Sequence, residues 1–203
     1  MKLKLTAITA GLLVLAAPFA SADTNVALGG TVTTTGTGFG VSSGWGVGTL
    51  AADSSLTDGI FLPVGRQWNI GTVYWQGGAP DTSDVITITL AQASTVDSLH
   101  LEADNNDAYS VSYRDPGGSW HLLTTIDPNT DSHWGLGDGY AAFASVSATA
   151  FQITATGGDG SYAVSEFQAN GAVIPVVPEP GNIALLAAGL GVTGLIARRR
   201  RQR

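Results

Sequence analysis

From residue 23 to residue 172 no run carries the apolar periodicity of a helix, while Gly, Ser, Thr and Asp interrupt the chain at intervals of roughly 8 to 12 residues. Short segments bounded by turn chemistry can bury a core only by pairing side by side, so the pattern predicts an all-β sandwich or barrel. Residues 85–90 alternate apolar and hydroxyl side chains, as a strand with one buried face does, and 96–103, 109–114, 120–125, 151–155 and 162–168 repeat the pattern. Asp, Asn, Pro and Gly cluster between them at 104–107, 115–118, 127–129 and 157–160, and the second of these clusters is a strong hairpin signal. No internal repeat is visible, which speaks against a solenoid or propeller. The chain has no cysteine, so neither disulfides nor thiolate metal sites can support the fold.

The two ends read differently. Lys2 and Lys4 precede an apolar run to Phe19, and small residues at positions 20 and 22 surround Ser21. A basic start, a short apolar region and small residues before the cut are what a signal peptidase needs, so residues 1–22 are expected to be an N-terminal signal helix cleaved after Ala22. At the other end Pro178, Glu179 and Pro180 precede an uncharged stretch over 181–197 and the cluster Arg198, Arg199, Arg200, Arg201 and Arg203. A helix of that length reaches roughly 25 Å, a little short of a hydrocarbon core of roughly 30 Å, and is expected to span a membrane with its arginines on the cytoplasmic side. The segment 172–177, with proline and no charge, is expected to be an extended linker.

Pro178, Glu179 and Pro180, the apolar segment and the arginine cluster together resemble the Pro-Glu-Pro C-terminal sorting signal, PEP-CTERM, of exopolysaccharide-producing Gram-negative bacteria. The resemblance covers about the last 27 residues, Val177 to Arg203, and makes 178–203 the sorting tail. It implies recognition by the membrane enzyme exosortase after export, a transient stay at the inner membrane with the domain in the periplasm, and delivery to the cell surface or extracellular matrix.

Removal of both end segments would leave Arg66 and Arg114 of the nine basic residues against 15 of the 16 acidic ones, a formal charge near −13. A domain so acidic repels phosphate backbones, which excludes nucleic acid as a ligand and makes cations the better partners.

A second set of residues resembles discoidin-type domains, the galactose-binding-like or coagulation factor 5/8 type C family. It runs through Asn25 to Gly29, Asp58 and Gly59, Gln67 and Trp68, residues 85–90, Tyr109 to Tyr113, Trp120, Phe151 to Ala155, and Glu166 to Gly171. It covers most of the domain 23–171 and implies a jelly-roll-type β-sandwich that binds sugars at its loops. The cysteine pair of many animal members is absent, and Gln152 stands where the strand before the last usually has arginine. The resemblance also implies a structural Ca2+ held by Asp58 and Glu166, which would need loop carbonyls to complete its shell. The plain alternative makes Asp58 a turn former and Glu166 a solvated strand residue.

A sugar site needs an exposed aromatic face beside hydrogen-bonding side chains. Trp75 and Trp120 sit in strand patterns and are expected in the core, whereas Trp45 and Trp134 lie among glycines and polar residues. With Asp131, His133 and Tyr140 nearby, they make the expected ligand surface. Catalysis has little support. Residues 40–44 match Gly-x-Ser-x-Gly by letters but lack the strand and helix of a nucleophile elbow, and the three histidines show no metal-ligand spacing. The expectation is a non-enzymatic, exported surface or matrix protein that binds polysaccharide. The alternative is a structural matrix protein acting by self-association or cation bridging.

Overall fold

The computed structural model describes residues 24–42, 46, 48–128, 134–175 and 180–200. Ala22, Trp45, Asp131, His133, Pro178 and Glu179, and the signal segment 1–22, lie outside the described residues.

The strands are β1 (Thr24–Asn25), β2 (Thr31–Thr35), β3 (Thr49–Leu50), β4 (Ile70–Gln76), β5 (Asp81–Asp104), β6 (Ala108–Arg114), β7 (Trp120–Ile126), β8 (Leu136–Gly157) and β9 (Ser161–Val173). A short 3-10 turn, Asp53–Thr57, precedes β4, and a helix α1 spans Pro180–Arg200. All strands join one hydrogen-bonded network, in the order β3-β4-β9-β5-β8-β6-β7, with β1 on β9 and β2 on β5.

The network folds over because β5 and β8 each serve two layers. The first half of β5 pairs with β2 through residues 85–89, its second half pairs with β9 from Ser94 onward, and its register against β8 shifts between Thr89 and Ser94. Likewise the first half of β8 lies on β5 alone, while its second half also pairs with β6 over 150–157. One layer is therefore β2, early β5, late β8, β6 and β7; the other is β3, β4, β9, late β5 and early β8. The alternation read at 85–90 and at 96–103 belongs to a single bent strand, β5, whose bend at 90–93 no turn residue marks.

Side chains from the two layers meet in the core. Phe151 of β8 packs on Phe167 of β9 with ring centroids 5.2 Å apart, and Tyr109 of β6 lies edge-on to Trp75 of β4 at 6.1 Å. Trp75 is fully buried, as its strand pattern predicts. Trp120 is not: it stands 39% exposed on β7, the outer strand of the network. The 115–118 turn forms the expected hairpin, pairing Arg114 with Trp120. Residues 104–107 do not form one. They carry the chain from β5 in one layer to β6 in the other, and β6 pairs with β7 and β8 instead. β9 continues through Val173, and the Ile174 N–H donates to the Ala93 carbonyl, so Ala172 and Val173 are sheet rather than linker.

The turns at 77–80, 104–107 and 158–160 gather at one end of the sandwich, where Gly77 N–H donates to the Gly160 carbonyl and Asp159 N–H to Asp107 Oδ1. The opposite end is closed by β5 and β8 passing between layers.

The membrane-spanning helix expected over 181–197 is corrected. α1 forms, but no helix among the described residues is long and apolar enough to cross a membrane. Asn182, Thr193 and four glycines dilute its apolar stretch, and Arg198, Arg199 and Arg200 already occupy its last turn.

Candidate functional site

The outer face of the layer that contains β4 and β9 carries the most exposed aromatic surface. Tyr140 on β8 is the direct cross-strand partner of His100 on β5, and their rings stack with centroids 4.2 Å apart and planes 22° from parallel. Phe61 covers the other side of His100 at 4.5 Å and 20°. His100 Nε2 lies 2.8 Å from Asp138 Oδ1, two residues before Tyr140 on the same strand. The imidazole is thus clamped between two rings and a carboxylate, and it backs Tyr140, which remains 67% exposed. Loss of solvent, together with the Asp138 charge, holds the Tyr140 phenol above its ordinary pKa, so it stays a hydrogen-bond donor at neutral pH.

The segment leading to β4 builds the rim. Leu62 N–H donates to Glu102 Oε2 at 2.9 Å, and Gly65 and Leu136 exchange backbone hydrogen bonds with one another's neighbourhood, Gly65 N–H to the Leu136 carbonyl and Leu136 N–H to the Arg66 carbonyl. This laces residues 62–66 to the start of β8 and brings Gly65 against the Trp134 main chain, and Trp134 is 78% exposed. Gly135 makes the approach possible: its φ is 80°, and a Cβ there would collide with the Arg66 carbonyl oxygen. Ile60, Phe61, Val64, Trp134 and Tyr140 are all exposed.

Of the residues expected to bind ligand, Trp134 and Tyr140 are described, and both are exposed. Sequence reading missed His100 and Phe61, since a histidine in a strand pattern carries no mark of its ring neighbours. Only the β5–β8 register reveals them.

The pair Asp58 and Glu166 is brought together. Glu166, on β9, faces outward opposite Glu102 but lies fully buried under the 58–62 segment. It is therefore not the solvated strand residue of the plain reading. Gly59 N–H bonds to its carboxylate, Gln168 Nε2 donates to Oε1 at 3.3 Å, and Oε2 has no partner. Burial first, then the charges of Asp58 and Glu102, push its pKa up to about 7. Asp58 is exposed and uses Oδ1 to accept the Ile60 N–H at 2.8 Å, the bond of a turn former. No group of three or more His, Cys, Asp or Glu side chains gathers as metal ligands among the described residues.

No family model matches the chain, and no curated protein matches it. Solved structures similar to the chain include chitosan-binding module 1 of the chitosanase/glucanase from Paenibacillus sp. IK-5, at 18% identity and a TM-score of 0.46 over 72% of this chain and 98% of that one. The lectin domain of lectinolysin complexed with Lewis B antigen is similar at 11% identity and a TM-score of 0.49, over 72% and 95%. A fucose-binding module from Streptococcus pneumoniae is similar at 12% identity and a TM-score of 0.49, over 72% and 96%.

Proposed function

We propose that the chain is a non-catalytic, exported module that binds polysaccharide on the outer face formed by β5 and β8. One observation carries this reading. Tyr140 offers an exposed ring whose back is fixed by His100, itself held by Asp138 and Phe61, and Trp134, two residues before β8, is exposed as well. A sugar ring stacks its C–H groups on such a surface, and a rigid backing lowers the entropy lost on binding. The phenol O–H and Asp138 supply hydrogen-bonding groups at the edge of the platform.

Two further expectations join the proposal. The Pro178-Glu179-Pro180 tail with Arg198, Arg199 and Arg200 makes the chain a substrate of exosortase after signal peptidase acts at Ala22, which delivers the domain to the cell surface or matrix. Glu166 and Asp58 hold a structural Ca2+: the partnerless Oε2 of Glu166 is a hard oxygen under a loop rich in carbonyls and fits such an ion.

Self-association without sugar specificity is the second reading, favoured by β7, an edge strand that exposes Trp120 and Leu122. Calorimetric titration of the chain with bacterial exopolysaccharide separates the two. Saturable binding weakened about tenfold by Tyr140→Ala, roughly 1.4 kcal/mol, supports the first reading. Concentration-dependent assembly abolished by Leu122→Lys, with no saturable sugar isotherm, supports the second.

A further inference from the structure

Asp81 and Asp84 form a separate acidic site at the end of the sandwich where the turns gather. Their exposures are only 4% and 3%. Asp81 Oδ1 accepts the Ser83 N–H at 3.0 Å and the Ser83 hydroxyl at 2.8 Å, whereas Oδ2 is buried and no donor among the described residues reaches it. The Asp84 carboxyl lies within hydrogen-bonding reach of that of Asp81, and its own Oδ1 accepts the Gly38 N–H at 2.8 Å. The chain around the pair is kept bare. A Cβ at Gly36 would strike the Asp84 carboxylate, one at Gly77 the Asp81 carboxylate, and one at Gly38 both Asp84 Oδ2 and the Gln76 carbonyl oxygen.

No cation answers these charges among the described residues. His100 and His121 pair with Asp138 and Asp115, and Arg66 and Arg114 donate to the Ile70 and Gly118 carbonyls. Asp107 and Asp159, which act on the same Tyr162 phenol as Asp81, bring no positive charge. Two carboxylates side by side and out of water repel one another and lose their hydration, so either a shared proton or a bound cation stands between them. The oxygen of Asp81 that no donor among the described residues reaches is the open position for a cation.

We propose that Asp81 and Asp84 bind a hard divalent cation of the calcium class, with Asp81 Oδ2 and the Asp84 carboxylate as side-chain ligands and main-chain carbonyls of the glycine turns completing the oxygen shell. The ion fastens the 36–38 turn to the start of β5. It is distinct from any ion at Glu166 and Asp58, which lie on the outer face of the other layer, and it does not depend on sugar binding.

The test is titration of the full chain with Tb3+, read by emission excited through the aromatic rings, followed by displacement with Ca2+. Trp75 and Tyr162, with ring centroids 5.5 Å apart, stand close enough to Asp81 to sensitise the ion. Glu166→Gln is expected to keep this emission, and Asp84→Asn in the same background to weaken binding at least tenfold. Asp81→Asn serves as the second variant should Asp84→Asn fail to fold. Ca2+ is also expected to raise the melting temperature of the Glu166→Gln chain by several degrees and to leave that of the doubly substituted chain unchanged. Emission and melting temperature in Glu166→Gln that ignore both ions overturn the proposal and leave a shared proton as the neutralising charge. Equal titrations with and without the Asp84 carboxylate overturn it as well.

Discussion

Asp104 and Asp107 show how little a residue's letter says about its state. In the sequence, Asp104, Asn105, Asn106 and Asp107 read as a polar turn, which ordinarily stays ionised in water. In the structure both carboxyls are buried where the turn crosses from β5 to β6. Burial first and then neighbouring carboxylates, Asp159 for Asp104 and Asp104 with Asp159 for Asp107, raise their pKa values to about 7 and about 8. The hydroxyl of Tyr109 and the phenol of Tyr162 face the same group, and neither brings a positive charge. The folded state thus holds protons that the unfolded chain, with carboxyls near pKa 3.9, releases earlier. Stability from this source is fully present below about pH 4 and is lost as pH rises towards 7 and 8. The melting temperature is therefore expected to fall between pH 5 and pH 8, and Asp107→Asn, which keeps a neutral side chain at all pH values, to flatten that fall. Thermal melts of both proteins across that range check it, and parallel slopes would refute the assignment. The same lesson applies to Glu166, whose strand position is plain in the sequence but whose burial comes from a loop more than a hundred residues earlier in the chain.

At the scale of elements, local pattern located β6 and the β6–β7 hairpin almost to the residue, because alternation and a turn with Pro and Gly are properties of neighbours in sequence. It did not reveal that two alternating segments are one strand. β5 bends without a Gly or Pro, and the bend is set by its change of partner from β2 to β9, a long-range fact. The candidate site inherits this limit. His100 and Tyr140 become a stacked pair only through the β5–β8 register, and a slip of one residue would send Tyr140 to the opposite face. Trp134 depends on Gly135 in a similar way. Gly135→Ala places a Cβ against the Arg66 carbonyl at a positive φ, so it is expected to destabilise the domain by about 1–3 kcal/mol, to detach residues 62–66 from β8, and to weaken polysaccharide binding. His100→Ala is expected to leave the fold intact but loosen Tyr140, weakening binding less than Tyr140→Ala does. Chemical denaturation and the same calorimetric titration read both effects, and a Gly135→Ala chain as stable as the parent would contradict the packing described. The inter-layer contact of Phe151 with Phe167 makes Phe151→Ala the control for global loss, with an expected cost of about 3–5 kcal/mol and no stable fold to assay near ambient temperature.

At the scale of the whole molecule, charge decides which polymer can approach the aromatic face. Between residues 23 and 177 the only fixed cations are Arg66 and Arg114, against 15 acids, and Asp138 and Glu102 pair across β5 and β8 next to the stacked rings. A polysaccharide of uronic acids would bring a second negative array towards the first, and each approach would be opposed over a Debye length of roughly 8–10 Å at physiological salt. A neutral polymer pays no such penalty, and its contact through ring stacking and phenol hydrogen bonding is short-ranged. Affinity for a neutral exopolysaccharide is therefore expected to change less than about twofold between 20 mM and 300 mM NaCl, whereas a polyuronate shows no binding at the low-salt end and at most a weak gain as salt screens the repulsion. Divalent cations alter only the second case, since ions on the acidic surface can bridge it to carboxylates on the polymer. Titrations at the two salt concentrations, with and without Ca2+, decide the matter. Tight low-salt binding of a polyuronate in the absence of Ca2+ would mean that some part of the chain other than this acidic face makes the contact.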